Sequence, residues 1–398
     1  LILQNKVVYM LNVFEEKIPR TLSYTERMCL SLIKRYTPEV AFYDYVNGLG
    51  LECLYRAGVA LERNDWKEFV QKRFDLFLDD DGHVKSFDKK EYSMDQISPG
   101  KVFFGLYDDT GNEKYKKALD LFFDMLMNQP RTPSGGFWHK EIYPNQMWLD
   151  GLYMQSAFYI QYAKRYSDLK KCLDDVVYQY ELIYDKAYDN KTGLLFHAWD
   201  ESRKMAWADP KTGLSKSIWA RAMGWYAMGL VDALDHIPVA NEYSLYRERL
   251  IKLANSIVMP LLKVQDEETG LWYQVLDKGK LGQNYLESSS SSMFVYFMKK
   301  MVRKNYIDAN LKGKALESAS KGFDGLTTYK LAYEGDGEIH LIDICRGAGL
   351  GKYYPECPFR DGTFAYYTER EPKVWDNLQG VGPFILASLE MEHEEKLK

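Results

Sequence analysis

Apolar residues recur at three- and four-residue spacing along almost the whole chain, the period of helices that each bury one face. The clearest such segments are 112–128, 145–166, 168–188, 216–236, 243–264 and 285–305. Alternating runs rich in Val, Ile and Thr and bounded by turns, the mark of strands, are nearly absent. The pattern predicts an all-α fold with two kinds of helix. NEYSLYRERLIKL has a charged face and an apolar face, as an outer helix does. MWLDGLYMQSAF and SIWARAMGWYAMGL are apolar nearly all round and carry glycines, as expected of helices crowded together inside a fold.

The loops between helices resemble one another. DNKTGLLFHAWDE (189–201) and DEETGLWYQVLDK (266–278) share the frame D-x-x-T-G-L-x-aromatic, with SGGFWHKEIY (134–143) and DDDGHVKSF (79–87) as looser copies. Gly82, Gly136, Gly193 and Gly270 mark the repeats, and each interval holds one helix, one loop and a second helix. Extending this spacing gives six helical hairpins at 7–62, 64–108, 112–166, 168–236, 243–305 and 306–392. An open solenoid would also use such hairpins. The strongly apolar second helix of each pair fits better with closure, in which second helices form an inner ring. The expected architecture is an (α/α)6 barrel with its pocket at the loop end of the inner helices. No Pro-, Gly- or Ser-rich linker divides residues 1–398, so a single domain is expected.

Composition narrows the function. The net charge is −5 with both signs mixed throughout, which excludes the basic footprint of a nucleic-acid binder. No run approaches the ~18 apolar residues of a membrane helix. Aromatic residues reach 15%, led by 31 Tyr and 9 Trp, and such rings fill cores or form stacking walls for sugars. Cys29, Cys53, Cys172, Cys345 and Cys357 are scattered without a CxxC pair, against a disulfide framework or zinc site and in favour of a reducing compartment. The opening LILQNKVVYM is neither an initiator Met nor a recognisable signal sequence, which leaves localisation open.

If inner helices start at the pocket, functional groups should gather near their first residues. SMDQISPGK offers Asp95, and YPNQMWLDGLYM offers Asp150 with Trp148 beside it and Met154 one turn on. Positions four apart share a helix face, so Asp150 and Met154 point the same way. Paired carboxylates are the equipment of glycoside hydrolysis. Asp95 reads equally as a helix cap. Asp150 follows Met147, Trp148 and Leu149, which places it inside its helix, where a carboxylate on an apolar face needs a partner or a task. Trp219, Arg221 and Trp225 in SIWARAMGWY suit a planar anion such as a sugar acid, the other reading of Arg221 being a tie between two helices through a buried acid. His139 and His197 occupy matching loops, and Lys140 adds a cation beside the first. No third ligand stands at zinc spacing, so no metal is expected. The run ESSSSSM (287–293) carries no nucleophile elbow and reads as a cap, and nucleotide-binding motifs are absent, so no cofactor is expected either.

Taken together, GGFWHK, YPNQMWLDGLYM, FHAWDES, WARAMGWY, TGLWYQVLD, NYLESSSSSMF and VGPFILASLE resemble glycoside hydrolase family 105, the unsaturated rhamnogalacturonyl hydrolases, over nearly the whole chain. Family 88, the unsaturated glucuronyl hydrolases, shares the barrel and the carboxylate pair, but the motif set is closer to family 105. The resemblance implies a substrate left by polysaccharide lyases, an oligosaccharide with a 4,5-unsaturated uronic acid at its non-reducing end. It also implies hydration of the vinyl ether, with Asp150 protonating C4 and then helping to deprotonate the water that adds at C5. Asp95 would hold sugar hydroxyls and tune Asp150. His139, His197, Trp219, Arg221, Trp225 and Met154 would line the subsite, joined by Trp148, Lys140 and Tyr45 (in FYDYVNGLG). Chemistry suggests Arg221 for the substrate carboxylate. The irregular segment 326–372 would shape outer subsites. By family analogy the setting is the bacterial cytoplasm, with the periplasm as the alternative. A family 88 type glucuronyl hydrolase, an inverting glycosidase acting on saturated glycosides and a helical-repeat binding protein are the competing readings.

Overall fold

The computed structural model describes residues 17–351 and 360–397. The start of the first expected hairpin, at residue 7, and Cys357 lie outside the described residues. Six antiparallel helix pairs follow in order. They are α1 (Tyr24–Arg35) with α2 (Tyr45–Ala60), and α3 (Asn64–Phe74) with α4 (Met94–Ile97), which runs through a 3-10 turn at Ser98–Gly100 into α5 (Lys101–Thr110). Then come α6 (Glu113–Met127) with α7 (Leu149–Tyr166), α8 (Leu169–Ala187) with α9 (Ala220–His236), α10 (Ser244–Lys263) with α11 (Ser288–Arg303), and α12 (Lys312–Tyr329) with α13 (Leu378–Glu392). Every pair falls within the expected hairpin except the second, whose α5 runs on to Thr110, two residues past the expected end at 108.

The second member of each pair is the inner one. Almost all of α9 and α11 is buried, whereas α10 buries one stripe that includes Leu250, Ala254, Ile257 and Leu261. The inner helices touch in a closed circuit: α2 on α13, α13 on α11, α11 on α9, α9 on α7, α7 on α4, and α4 on α2. Closure rules out the open solenoid. Small residues permit the tight ring: a Cβ on Gly224 of α9 would lie 2.4 Å from Met293 Sδ of α11. Glu287, fully buried, caps α11 by accepting from the backbone N–H groups of Ser289 and Ser290, which gives the ESSSSSM run the capping role expected of it.

The repeated loops have one physical cause. Asp189 accepts from the Thr192 N–H (3.2 Å) and hydroxyl (2.7 Å), and Asp266 does the same with Thr269 (3.0 and 2.8 Å). The following Gly193 and Gly270 take left-handed φ of 77° and 74°. A further copy of the frame, Asp209 to Leu214, folds identically around Thr212 (2.7 and 2.9 Å) inside the α8–α9 connection. In the 134–143 loop the left-handed residue is Gly135 (φ 87°), not the expected Gly136.

Six strands of two or three residues supplement the helices, each too short for alternation to show in the sequence. β1 (Gln146–Trp148) pairs antiparallel with β2 (Ala198–Asp200), β3 (Leu331–Tyr333) with β4 (Ile339–Leu341), and β5 (Ile344–Cys345) with β6 (Lys373–Val374). The first ribbon matters most, because Trp148 opposite Ala198 brings the start of α7 against His197, and Leu149 donates its N–H to the His197 carbonyl (3.1 Å). Among the described residues no helix is long and apolar enough to cross a membrane.

Candidate active site

A pocket of about 200 Å³ opens at the N-terminal ends of the inner helices. Tyr45 at the start of α2, Asp95 in α4, Asp150 and Met154 in α7, and Trp219 just before α9 all line it, as do His139, Lys140 and Trp148 from the α6–α7 connection. Eight of the expected site residues therefore converge on one cavity.

The two carboxylates differ in their surroundings. Asp95 does not cap α4. Its Oδ2 lies 2.6 Å from Lys140 Nζ and its Oδ1 lies 3.3 Å from His139 Nε2. Burial pushes its pKa up, but the charges of Lys140 and His139 outweigh burial and hold it well below the usual carboxylate range. Asp95 is thus a fixed anion. Asp150 is 9% exposed, and none of the described residues donates a hydrogen bond to its carboxylate. His197 Nε2 stands 3.2 Å from Asp150 Oδ2, close enough to feel its charge but off the line of a hydrogen bond.

His197 is fully buried, and its Nδ1 meets the Tyr367 hydroxyl at 2.7 Å. Burial, with the nearby Asp150 charge, pushes the Tyr367 pKa well up, so the phenol keeps its proton. The tautomer with the Tyr367 hydroxyl donating to Nδ1 and the proton on Nε2 avoids setting a nitrogen lone pair beside the Asp150 carboxylate. Aromatic rings complete the walls. Trp148 stacks on His139 (centroids 4.8 Å apart) and on Tyr143 (4.6 Å), while Trp219 stacks with Tyr367 (5.8 Å). Tyr45 is held by a hydrogen bond to its hydroxyl from Gln379 in α13.

Two expected ligand contacts lie elsewhere. Arg221 is fully buried and is not part of the pocket wall; it donates to the Cys345 carbonyl (2.6 Å) and to Ser289 Oγ (3.2 Å). It joins α9 to α11 and β5 through a hydroxyl and a carbonyl, not through the buried acid of the alternative reading. Trp225 is 1% exposed and packs on Tyr153 (4.7 Å) inside the barrel, away from the pocket wall. Conversely, Tyr143, Arg346, Gly347–Gly349, Arg360 and Tyr367 were not singled out in the sequence. All but Tyr367 line the pocket. The segment expected to shape outer subsites therefore also walls the central cavity, and its signal was two arginines set among glycines in ICRGAGLG and PFRDGT.

A closed ring of six helical hairpins, with two acidic side chains and a sugar-compatible aromatic wall at its loop end, defines a glycoside hydrolase of the (α/α)6-barrel class. A family model described as Glycosyl Hydrolase Family 88 matches residues 24–394. The chain is 41% identical to a family 105 glycoside hydrolase from C. acetobutylicum ATCC 824, with a TM-score of 0.86 over 93% of this chain and 99% of that one. It is 25% identical over 267 residues to the unsaturated rhamnogalacturonyl hydrolase YesR of Bacillus subtilis (strain 168), covering 66% of this chain and 71% of that one. The unsaturated glucuronyl hydrolase of Bacillus sp. GL1 shares the fold at 14% identity, with a TM-score of 0.61 over 89% of this chain and 88% of that one. The chain belongs to the family 88 and family 105 group of unsaturated uronyl hydrolases, and it is a glycoside hydrolase.

Proposed function

We propose that the enzyme releases a 4,5-unsaturated uronic acid from the non-reducing end of lyase-generated oligosaccharides by hydrating the vinyl ether. The observation that carries this reading is Asp150: a nearly buried carboxyl group that no side chain among the described residues engages in a hydrogen bond, at the mouth of an inner helix and inside the pocket. Such a group is available to move a proton. In its acid form it delivers that proton to C4, and positive charge develops at C5 and the ring oxygen. The carboxylate left behind stabilises that charge and takes a proton from the water adding at C5. The product hemiketal opens and the aglycone departs. Asp95, locked as an anion by Lys140 and His139, accepts hydrogen bonds from sugar hydroxyls.

An inverting mechanism on saturated glycosides would need a second carboxylate acting as base on water. Asp95 is poorly placed for that, because its affinity for protons is already depressed. The similarity to YesR makes an unsaturated galacturonyl-rhamnose disaccharide the first substrate to try. Ultraviolet absorbance of the conjugated double bond should fall on addition of enzyme, and the saturated disaccharide should be left intact. Cleavage of both at similar rates would reject hydration.

Tyr367 gives a second test of the site. Removing its hydroxyl leaves His197 Nδ1 buried without a donor, a loss that typically costs about 1–3 kcal/mol. Tyr367→Phe should lower kcat about tenfold and shift the pH dependence of kcat, with KM nearly unchanged. An unaltered pH profile would show that Tyr367 only fills space.

A further inference from the structure

We propose that Gln379, standing behind the pocket wall, fixes Tyr45 as a hydrogen-bond donor to the substrate, a positioning role that rests on the proposed function. Tyr45 is the first residue of α2 and Gln379 the second of α13. Tyr45 lines the pocket, whereas Gln379 does not and is 2% exposed. Glycines bring the two helix starts together. A Cβ on Gly50 of α2 would lie 2.8 Å from Leu378 Cδ1, and one on Gly382 of α13 would lie 3.1 Å from Leu49 Cγ. Asn377 caps α13 by accepting from the Gln379 backbone N–H (2.9 Å), which pins the residue. From there its amide Nε2 donates to the Tyr45 hydroxyl.

This polarity leaves Tyr45 with its own proton to place, because a phenol is both acceptor and donor. Burial and the charge of Asp95 hold its pKa far above the ordinary phenol range, Asp150 adding to them and Arg221 opposing, so the proton stays on. None of the described residues accepts from that hydroxyl. The local field sets its direction. Asp95 and Asp150 line the same pocket, and a hydroxyl near carboxylates turns its hydrogen toward them and its lone pairs away. The lone pairs therefore face α13, the side that calls for an amide N–H. Gln379 Oε1 is buried and has no hydrogen-bond partner among the described residues. A residue kept only for packing would be apolar here, since a half-satisfied buried amide is destabilising. The result is a neutral donor aimed into the cavity. It offers a hydrogen bond to an oxygen of the sugar without adding charge beside Asp150.

The test is a double-mutant cycle on kcat/KM for the unsaturated disaccharide, read as absorbance loss, with a melting curve for each variant. Tyr45→Phe removes the donor and should lower kcat/KM roughly tenfold, mostly through KM, as loss of one hydrogen bond to substrate does. Gln379→Glu keeps the shape of the amide but replaces its donor with an acceptor, which captures the Tyr45 proton, and should match Tyr45→Phe. Gln379→Met removes the donor without adding charge and should lose roughly threefold, since the hydroxyl is then undirected. In a Tyr45→Phe background both Gln379 changes should be silent, which separates action through the hydroxyl from altered packing or charge. A Gln379 variant that lowers kcat/KM by the same factor with and without the Tyr45 hydroxyl would make Gln379 a prop for the helix start and overturn the proposal. Full activity in Tyr45→Phe or in Gln379→Glu would overturn it as well. A wild type that leaves the absorbance unchanged removes the proposed function itself, and this proposal with it.

Discussion

Asp150→Asn should reduce kcat on the unsaturated disaccharide by about 10³–10⁴, the upper part of what general acid–base catalysis supplies, because one group performs both proton transfers. The amide has the same shape but can neither protonate C4 nor take a proton from water. The fold should tolerate it. None of the described residues hydrogen-bonds to the Asp150 carboxylate, so the substitution orphans no buried donor, and the helix start is pinned instead by the Leu149 N–H on the His197 carbonyl. KM should change by only a few fold, since the binding contacts come from other side chains. Asp95→Asn offers the contrast. It strips Lys140 and His139 of their counter-charge, and should therefore raise KM and lower thermal stability together. The measurement is the initial rate of absorbance loss beside a melting curve for each variant. An Asp150→Asn enzyme that retains more than a tenth of wild-type turnover would move the acid to another residue.

The ring of hairpins was readable because inner and outer helices differ in pattern over many turns: α9 is apolar on all sides and α10 on one. The carboxylates were readable for a related reason, since a charge on an aromatic helix face is out of place unless it serves the pocket. Arg221 shows where this reasoning stops. An arginine among tryptophans suits both a ligand and a buried carbonyl, and only tertiary packing, here the Cys345 carbonyl 124 positions away, decides between them. Tyr143 and Arg360 are 217 positions apart, and His197 and Tyr367 are 170 apart. Contacts over such distances leave no periodic trace, so part of the pocket wall emerges only on folding. The Asp209 copy of the loop frame was missed for a simpler reason. It repeats within a single inter-helix connection, where a search spaced by helix pairs does not look.

At the opposite end of the barrel, Asp232→Ala should cost about 3–5 kcal/mol of stability, the usual penalty for removing one partner of a buried ionic cluster. Asp232 Oδ1 sits 2.6 Å from Lys300 Nζ and accepts from the Tyr296 hydroxyl (2.5 Å), while Oδ2 lies 3.2 Å from Arg56 Nη1. Lys300 also reaches Asp235 (2.6 Å), and Glu52 beside Arg56 pairs with Lys101 (2.9 Å). The cluster therefore cross-links α2, α5, α9 and α11 across the barrel floor. Without Asp232, the 1%-exposed Lys300 keeps one carboxylate partner among the described residues, Asp235, and Arg56 keeps the more distant Glu52 at 3.8 Å, and both still share the neutral Tyr296 hydroxyl. Burial pushes the Asp232 pKa up, but Lys300 and Arg56 overcome it and hold the carboxyl well below its ordinary range. A carboxyl depressed in the folded state contributes in full above its unfolded value of about 4, and that contribution fades as pH falls below it. Wild type should accordingly lose its advantage over Asp232→Ala progressively below about pH 4, with the two denaturation midpoints converging. Replacing the partners together, as in Asp232→Leu with Lys300→Met, should be milder than the single change, because apolar packing substitutes for a buried pair better than an orphaned charge does. A stability for Asp232→Ala within about 1 kcal/mol of wild type at neutral pH would mean that solvent already screens the cluster and that helix packing alone closes the ring.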